Sequence, residues 1–367
     1  MKLNDNEQKI LDILKKDPFV NQQYIADQLS LSRSAVANLL SGLQGKGYIL
    51  GKPYLLRTEE YITCVGGANL DYTFRLEDKL ILKTSNPVKS DISYGGVVRN
   101  IGENLARLNH KVSLMSVIGD DSAGENLLAA MRNMMEVFAI DKISREKTGG
   151  YYSIINPKGD MDIGFADMSI NAHMDRTWIL NHKRHLNLSD WIITDTNITK
   201  DALEALIEFT RTEEKKLAII GVSGPKMKNV PEDLNGVEVL ICNLDESQAY
   251  FKTSSDDLKE LIHAWLDKGI KKVVITKGKD AFVYGDNKQV SFQKPLHIKE
   301  ELIKDVTGAG DAFSAALLHA LIHEDDFKTA IQYAITNAAL TIQSEYSVNP
   351  NLSIKLIKKE IKRNEEL

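Results

Sequence analysis

The chain has 367 residues, 43% hydrophobic and 26% charged, with a formal net charge of −5, which fits a globular protein of two or three folding units. No apolar run approaches the ~18 residues of a membrane span, and the first residues, MKLNDNEQKI, hold no hydrophobic signal region. Only two cysteines occur, Cys64 and Cys242, each inside an apolar run; buried inert thiols in a reducing cytoplasm are expected, not a disulfide framework.

The charge is uneven, with +3 on residues 1–58 and −8 on the rest, as expected of two modules with different partners. In the first module Ile10, Ile13 and Leu14 have helical spacing, and Asp17-Pro18 stops that helix. Asn21 caps a second short helix through Ile25 and Leu29. Ser32 caps a third, whose apolar face is Val36, Leu39, Leu40 and Leu43, and Gly45 and Gly47 end it. Two short strands, Tyr48-Ile49-Leu50 and Pro53–Leu56, then flank Gly51-Lys52. Three helices and a β-wing resemble a winged helix-turn-helix domain. Ser32, Arg33, Ser34, Asn38 and Gln44 would face DNA from the third helix, and Lys46 and Lys52 would reach phosphates. So few cations imply weak binding by one copy, and hence a homodimer. A helical cap with no DNA role fits the same pattern.

From residue 59 onward, short apolar runs alternate with helical stretches. The runs are Tyr61–Val65, Ser113–Ile118, Trp191–Thr194, Leu217–Gly221, Val237–Cys242 and Lys272–Thr276; the helical stretches include 97–108, 121–136, 200–211 and 256–268. This order predicts a mostly parallel sheet covered on both faces, with ligands beyond the carboxyl ends of the strands. The residues after each run are therefore the informative ones. Asn69 and Asp71 follow the first; an amide and a carboxylate suit a vicinal diol, although these residues alone favour a solvated turn. Gly95 and Gly96 open the helix that carries Asn100. Residues 72–94 and 149–167 read as strands of a separate small sheet. Such a sheet would be either a plain hairpin or a flap returning through Asp167 to exclude water from the site. Asn243 and Glu246 share one face of a helical turn and suit Mg²⁺ held largely through water. Thr276 and Gly278 border a nucleotide site, and Asn337, on a late helix over 328–342, is a further polar candidate there.

The most informative string is Asp305-Val-Thr-Gly-Ala-Gly-Asp-Ala-Phe313. Gly308, Ala309 and Gly310 permit close approach of an anion, and the following apolar residues Phe313, Ala316, Leu317 and Ala320 have helical spacing. The small residues thus sit at a helix start, where free N–H groups attract phosphate. Asp311 in that turn is badly placed to bind an anion and well placed to take a proton from a hydroxyl that attacks it. No G-x-x-x-x-G-K-[ST] string occurs, which excludes a P-loop nucleoside triphosphatase.

Gly95-Gly96…Asn100, Asn243…Glu246 and Asp305–Asp311, in that order, closely resemble the PfkB-type (ribokinase-like) family of sugar and nucleoside kinases over roughly residues 61–363. The resemblance implies an α/β ribokinase-like fold, a doubly wound mostly parallel sheet with a small β-sheet lid, here preceded by the winged-helix head; the expected domains are 1–58 and 59–367. It implies ATP and Mg²⁺ as cofactors, Asp311 as general base, and residues 308–310 as an anion hole. It places Asn69, Asp71, Gly95, Gly96 and Asn100 at the sugar, Asn243 and Glu246 at Mg²⁺, and Asp305 and Thr307 at a K⁺ ion. Further strings are similar to one branch, the pseudouridine kinases: Ser85-Asn86-Pro87, Gly95–Ile101, Ala166-Asp167-Met168, Asp195-Thr196-Asn197-Ile198, Ser344-Glu345-Tyr346 and Asn349–Ser353. Val98 departs from that branch, where Gly is common, and a bulkier residue there is expected to alter the pocket. The segment Gly221–Lys226 matches the branch only loosely. The implied reaction is transfer of the ATP γ-phosphate to the 5′-hydroxyl of a ribosyl substrate, most closely pseudouridine. Other nucleosides or sugars are alternatives, as is a transcriptional regulator using the kinase-like body as a ligand sensor.

Overall fold

A computed structural model describes residues 3–51 and 60–365. The head is built from α1 (Asp5–Lys16), α2 (Gln22–Leu29) and α3 (Arg33–Gly45). Its own core gathers Ile10, Leu14, Ile25, Val36, Leu40, Leu43 and Ile49. Each helix starts where a polar side chain satisfies a free N–H: Asn4, Asn21 and Ser32 accept from the amides of Glu7, Tyr24 and Ala35. Asn4 and Glu7 complete a reciprocal capping box. Ile49 forms a bridge residue after α3, while the expected second wing strand over 53–56 and Lys52 lie outside the described residues.

The body contains β1 (Tyr61–Val65), β2 (Asn69–Leu76), β3 (Val88–Gly95), α4 (Val97–Arg107), β4 (Lys111–Gly119), α5 (Ser122–Met131), β5 (Glu136–Ile143), β6 (Gly150–Ile155) and β7 (Met161–Asp167). There follow α6 (Arg176–Asn181), α7 (Lys183–Leu186), β8 (Trp191–Asp195), α8 (Lys200–Thr212), β9 (Lys216–Ile220), β10 (Val239–Asn243), α9 (Leu244–Phe251) and α10 (Leu258–Leu266). The chain closes through β11 (Lys272–Thr276), β12 (Phe282–Asp286), β13 (Val290–Gln293), α11 (Ala309–Ile322), α12 (Phe327–Ile342) and α13 (Ile354–Glu365).

A nine-stranded sheet has the order β13-β12-β11-β10-β9-β8-β1-β4-β5. Pairing is parallel from β11 to β5, with β12 and β13 added antiparallel at one edge. The inner parallel strands, such as β1, β8 and β10, are buried almost throughout and read as apolar runs. Two apolar layers result. One packs α4, α5, α11 and α12 against one face through Ile101, Leu105, Leu127, Leu317 and Ile331. The other packs α6, α8 and α10 against the opposite face through Ile179, Leu206, Ile262 and Trp265. The chain runs outward from β1 to β4 and β5, then returns to β8 on the other side. The strand order therefore reverses at β1, which places the crevice for a ligand beyond its carboxyl end.

A separate four-stranded sheet, β3-β2-β6-β7, rises from that end. It is the expected small sheet, beginning at Asn69 rather than 72 because Asn69 already pairs with Gly95 in the ladder. Two elements differ from expectation. The helix expected to 136 stops at Met131, and Glu136 opens β5, the parallel partner of β4. The hairpin of β12 and β13 has short strands that periodicity alone does not separate from loop.

Candidate active site

Two glycine turns meet beyond β1. Gly96, at φ 105°, is the residue before α4, and a Cβ there would lie 2.3 Å from the Gly67 carbonyl oxygen. Only glycine lets the two backbones approach so closely. Behind them Asp195, fully buried at the end of β8, accepts from the amide and side chain of Asn197 (2.9 and 3.1 Å) and from the Val98 amide (3.4 Å). Asp195 thus ties β8 to the start of α4. Burial pushes its pKa up to about 6 against those hydrogen bonds.

On the lid side, Asn69 donates its side-chain amide to Asp71 at 2.6 Å. Both stand on β2, Asn69 opposite Gly95 and Asp71 opposite Ser93. Asp71 is largely enclosed, and desolvation raises its pKa to about 6 although Asn69 and Arg99 lower it. Asp167 ends β7 opposite Gly150 and is exposed, with Ser169 donating to it at 3.3 Å.

Facing this edge, Gly308 (φ 79°) is the residue before α11, and a Cβ there would lie 2.1 Å from the Ser347 carbonyl oxygen. No side chain caps the helix, so its first-turn N–H groups have no side-chain acceptor. Nothing stands within 4 Å of the position a Cβ would take on exposed Gly310, and Ala309 is half-buried. From Ala312 to Ile322 α11 is continuously buried, which fixes its first turn. Asp311 accepts from the Asn100 side-chain amide at 2.6 Å, joining α11 to α4. Its pKa is raised to about 7, chiefly by desolvation and further by Asp195 and Asp71, while Asn100 and Arg99 oppose the rise. Asp311 as a residue is half-buried.

Arg99, buried to 5% exposure, donates to Asn100, Glu103 and the Tyr94 carbonyl. It is the cation of this cluster. Its sequence signal was only its place beside Asn100 in a glycine-led helix. Val98, by contrast, is fully buried and packs in the core, so its bulk is taken up there rather than exposed to a pocket as expected.

At the neighbouring strand ends, Asn243 and Glu246 form a capping box at the start of α9. The Asn243 oxygen accepts from the Glu246 amide and the Glu246 carboxylate accepts from the Asn243 amide, both at 2.8 Å. Glu246 is 3% exposed and its pKa is raised by burial. A buried carboxylate and an amide oxygen held at a strand end are a hard-oxygen donor set that fits Mg²⁺ carried through water. Thr276 lies opposite Asn243 in the β10–β11 register, and Gly278 (φ 57°) is exposed in the turn beyond. Asp305 accepts from the Thr307 amide at 2.8 Å just before the cradle. Asn337 lies elsewhere: it is fully buried and donates to Asn104 and the Ala312 carbonyl, locking α12 to α4 and α11. Its geometry is that of a core amide rather than of a nucleotide contact.

In the head, Arg33, Ser34, Asn38 and Gln44 are exposed on α3, whereas Ser32 is occupied as the cap. Lys46 is turned away from any phosphate: its ammonium binds both oxygens of buried Glu7 at 2.8 and 2.9 Å. The buried carboxylate requires that partner, which overrides the expected role. Both cysteines are buried, and desolvation raises their thiol pKa values. No helix among the described residues is long and apolar enough to cross a membrane.

Residues 59–354 match the pfkB family of carbohydrate kinases, and residues 3–49 match a winged helix-turn-helix DNA-binding domain. An uncharacterised sugar kinase of Escherichia coli (strain K12), YeiI, is 30% identical over 358 residues, covering 96% of this chain and 97% of its own. The pseudouridine kinase of the same organism is 29% identical over 306 residues, covering 82% of this chain and 96% of its own. Among solved structures, a carbohydrate kinase from Agrobacterium tumefaciens superposes with a TM-score of 0.72 at 27% identity, covering 83% of this chain and 97% of that one. The Arabidopsis thaliana ribokinase in complex with ribose and ATP shares the fold at a TM-score of 0.69 and 15% identity, covering 83% and 99%. The chain therefore belongs to the pfkB family of carbohydrate kinases, ATP-using phosphotransferases with an alcohol acceptor, and carries a winged helix-turn-helix domain ahead of its kinase body.

Proposed function

We propose that this kinase transfers the γ-phosphate of ATP to the 5′-hydroxyl of pseudouridine. The observation that carries the reaction is Asp311, a carboxyl with a pKa near 7 hydrogen-bonded to Asn100 at the uncapped start of α11. Asp311 takes the hydroxyl proton as the oxygen attacks, and a base titrating near the working pH is well matched to that task. The first-turn amides of Gly308, Ala309 and Gly310 meet the charge on the transferring phosphoryl group. Asn69, Asp71, Gly95, Gly96 and Asn100 grip the ribosyl hydroxyls, and the lid, with Asp167, excludes water. Thr276 and Gly278 border the nucleotide. Mg²⁺, held through water by Asn243 and Glu246, would neutralise phosphate charge, and Asp305 and Thr307 would hold K⁺.

Pseudouridine is favoured by the strings shared with that branch and by a relative of that activity aligned over 96% of its length. The test is kcat/KM for pseudouridine, uridine, inosine and ribose with ATP. Highest efficiency on pseudouridine supports the assignment; a clear preference for ribose or inosine overturns it.

A second reading rests on the helix-turn-helix match at residues 3–49. Here the head, residues 1–58, binds DNA as part of a cytoplasmic homodimer through Ser32, Arg33, Ser34 and Asn38, and ligand occupancy of the body, residues 59–367, modulates it. Deleting residues 1–58 then abolishes sequence-selective DNA binding and leaves phosphoryl transfer intact. No sequence preference of the full chain in a genomic selection would refute this reading.

A further inference from the structure

Three of the eight histidines converge at the far end of α11 from Asp311. His319 and His323 stand four residues apart, so both project from one helix face. His110 joins them from the turn between α4 and β4. One ring nitrogen from each lies within 4.8 Å of the other two. His110 Nε2 and His319 Nδ1 are 2.7 Å apart and share a hydrogen. His323 directs Nδ1 at the His319 carbonyl oxygen at 2.8 Å, which fixes its hydrogen there and leaves Nε2 with its lone pair free to ligate. This backbone anchor is the one that orients histidines that ligate metal. The burial gradient also suits an ion entering from solvent: His319 is 4% exposed, His110 half-buried and His323 exposed.

We propose that His110, His319 and His323 bind one transition-metal dication of the Zn²⁺ class. Three neutral imidazoles are a borderline-soft nitrogen donor set, which favours Zn²⁺ or Co²⁺ over Mg²⁺. Desolvation keeps His110 and His319 neutral, with pKa values lowered to about 4 and about 3, so no proton must be displaced from a charged ring. Binding requires whichever ring donates in the His110–His319 pair to move its single proton to its other nitrogen, so that both facing nitrogens offer lone pairs and both rings stay neutral. The charges around the cluster are mixed. Lys358 on α13 acts electrostatically on His319, while the Glu60 carboxylate interacts with His323 and with Glu324. Water completes the coordination. Along α11 the cluster is roughly 12–18 Å from Asp311 at ~1.5 Å per residue, so it is a site separate from the kinase chemistry. Glu60 places it where the chain enters the body.

Titration of the full-length protein with Co²⁺ in saturating Mg²⁺ tests the proposal, because Mg²⁺ fills oxygen sites and Co²⁺ reports nitrogen ligation by its ligand-field absorption. Absorption typical of four- or five-coordinate Co²⁺, saturating at one equivalent and displaced by Zn²⁺, is expected. His323→Gln, at an exposed helix end, is expected to weaken Co²⁺ binding by ~10²-fold or more while leaving kcat unchanged. His110→Gln should weaken it similarly. No saturable absorption in the wild type, or an unchanged titration in His323→Gln, overturns the site.

Discussion

Asp311 is where charge, burial and chemistry meet. Its carboxyl titrates near 7 because desolvation outweighs the help of Asn100 and Arg99. Arg99 favours the charged form, so Arg99→Gln raises the Asp311 pKa and moves the acidic limb of kcat/KM to higher pH. A limb that stays in place or moves to lower pH would deny Arg99 that role. The same shift has a consequence for stability. The folded pKa, about 7, lies above the ordinary ~3.9 of an unfolded Asp. Its stabilising contribution is therefore fully present below ~4 and is lost as pH rises through about 7. Asp311→Asn is accordingly expected to raise Tm by a few degrees at pH ~8 and by nothing measurable at pH ~4, as read by thermal denaturation at the two pH values.

At the scale of elements, the cradle depends on backbone geometry that no side chain can replace. Gly308→Ala puts a methyl 2.1 Å from the Ser347 carbonyl at a φ of 79°. The substitution should cost ~1–3 kcal/mol by denaturant unfolding and lower kcat more than tenfold, since the start of α11 must shift. In the head, Lys46→Met leaves buried Glu7 without its cation and should cost ~1–3 kcal/mol of head stability. If Lys46 acted mainly on DNA phosphates instead, the salt dependence of DNA binding would change and the melting of the head would not. The parallel sheet, its helices and the glycine-led turns were legible because apolar runs, helical periodicity and small-residue strings are local signals. Asp195, Arg99 and the Lys46–Glu7 pair were not, because each acts through partners far away in sequence: Asp195 on Val98, Arg99 on Asp311, Lys46 on Glu7. Asn337 was misleading for the same reason. A polar residue on a late helix reads alike whether it faces a ligand or, as here, bonds to Asn104 within the core.

In the whole molecule, the reversal of strand order at β1 brings β2, α4 and α11 to one crevice, although α11 lies more than two hundred positions from the other two in sequence. The head adds a second module with its own core and joins the body near β1. If substrate occupancy alters DNA affinity, linkage requires DNA to alter substrate affinity by the same factor. Fluorescence anisotropy with and without saturating pseudouridine measures the first effect, and equal affinities would dismiss the coupling. The central claim is that the crevice performs phosphoryl transfer with Asp311 as base. It is tested most directly by steady-state turnover of wild type and Asp311→Asn with ATP and pseudouridine from about pH 5 to 9. The wild-type rate should rise through about pH 7 as one group loses its proton. The variant should lose ~10²–10⁴ in kcat while KM stays within a few-fold. A variant that keeps the wild-type kcat would contradict the account.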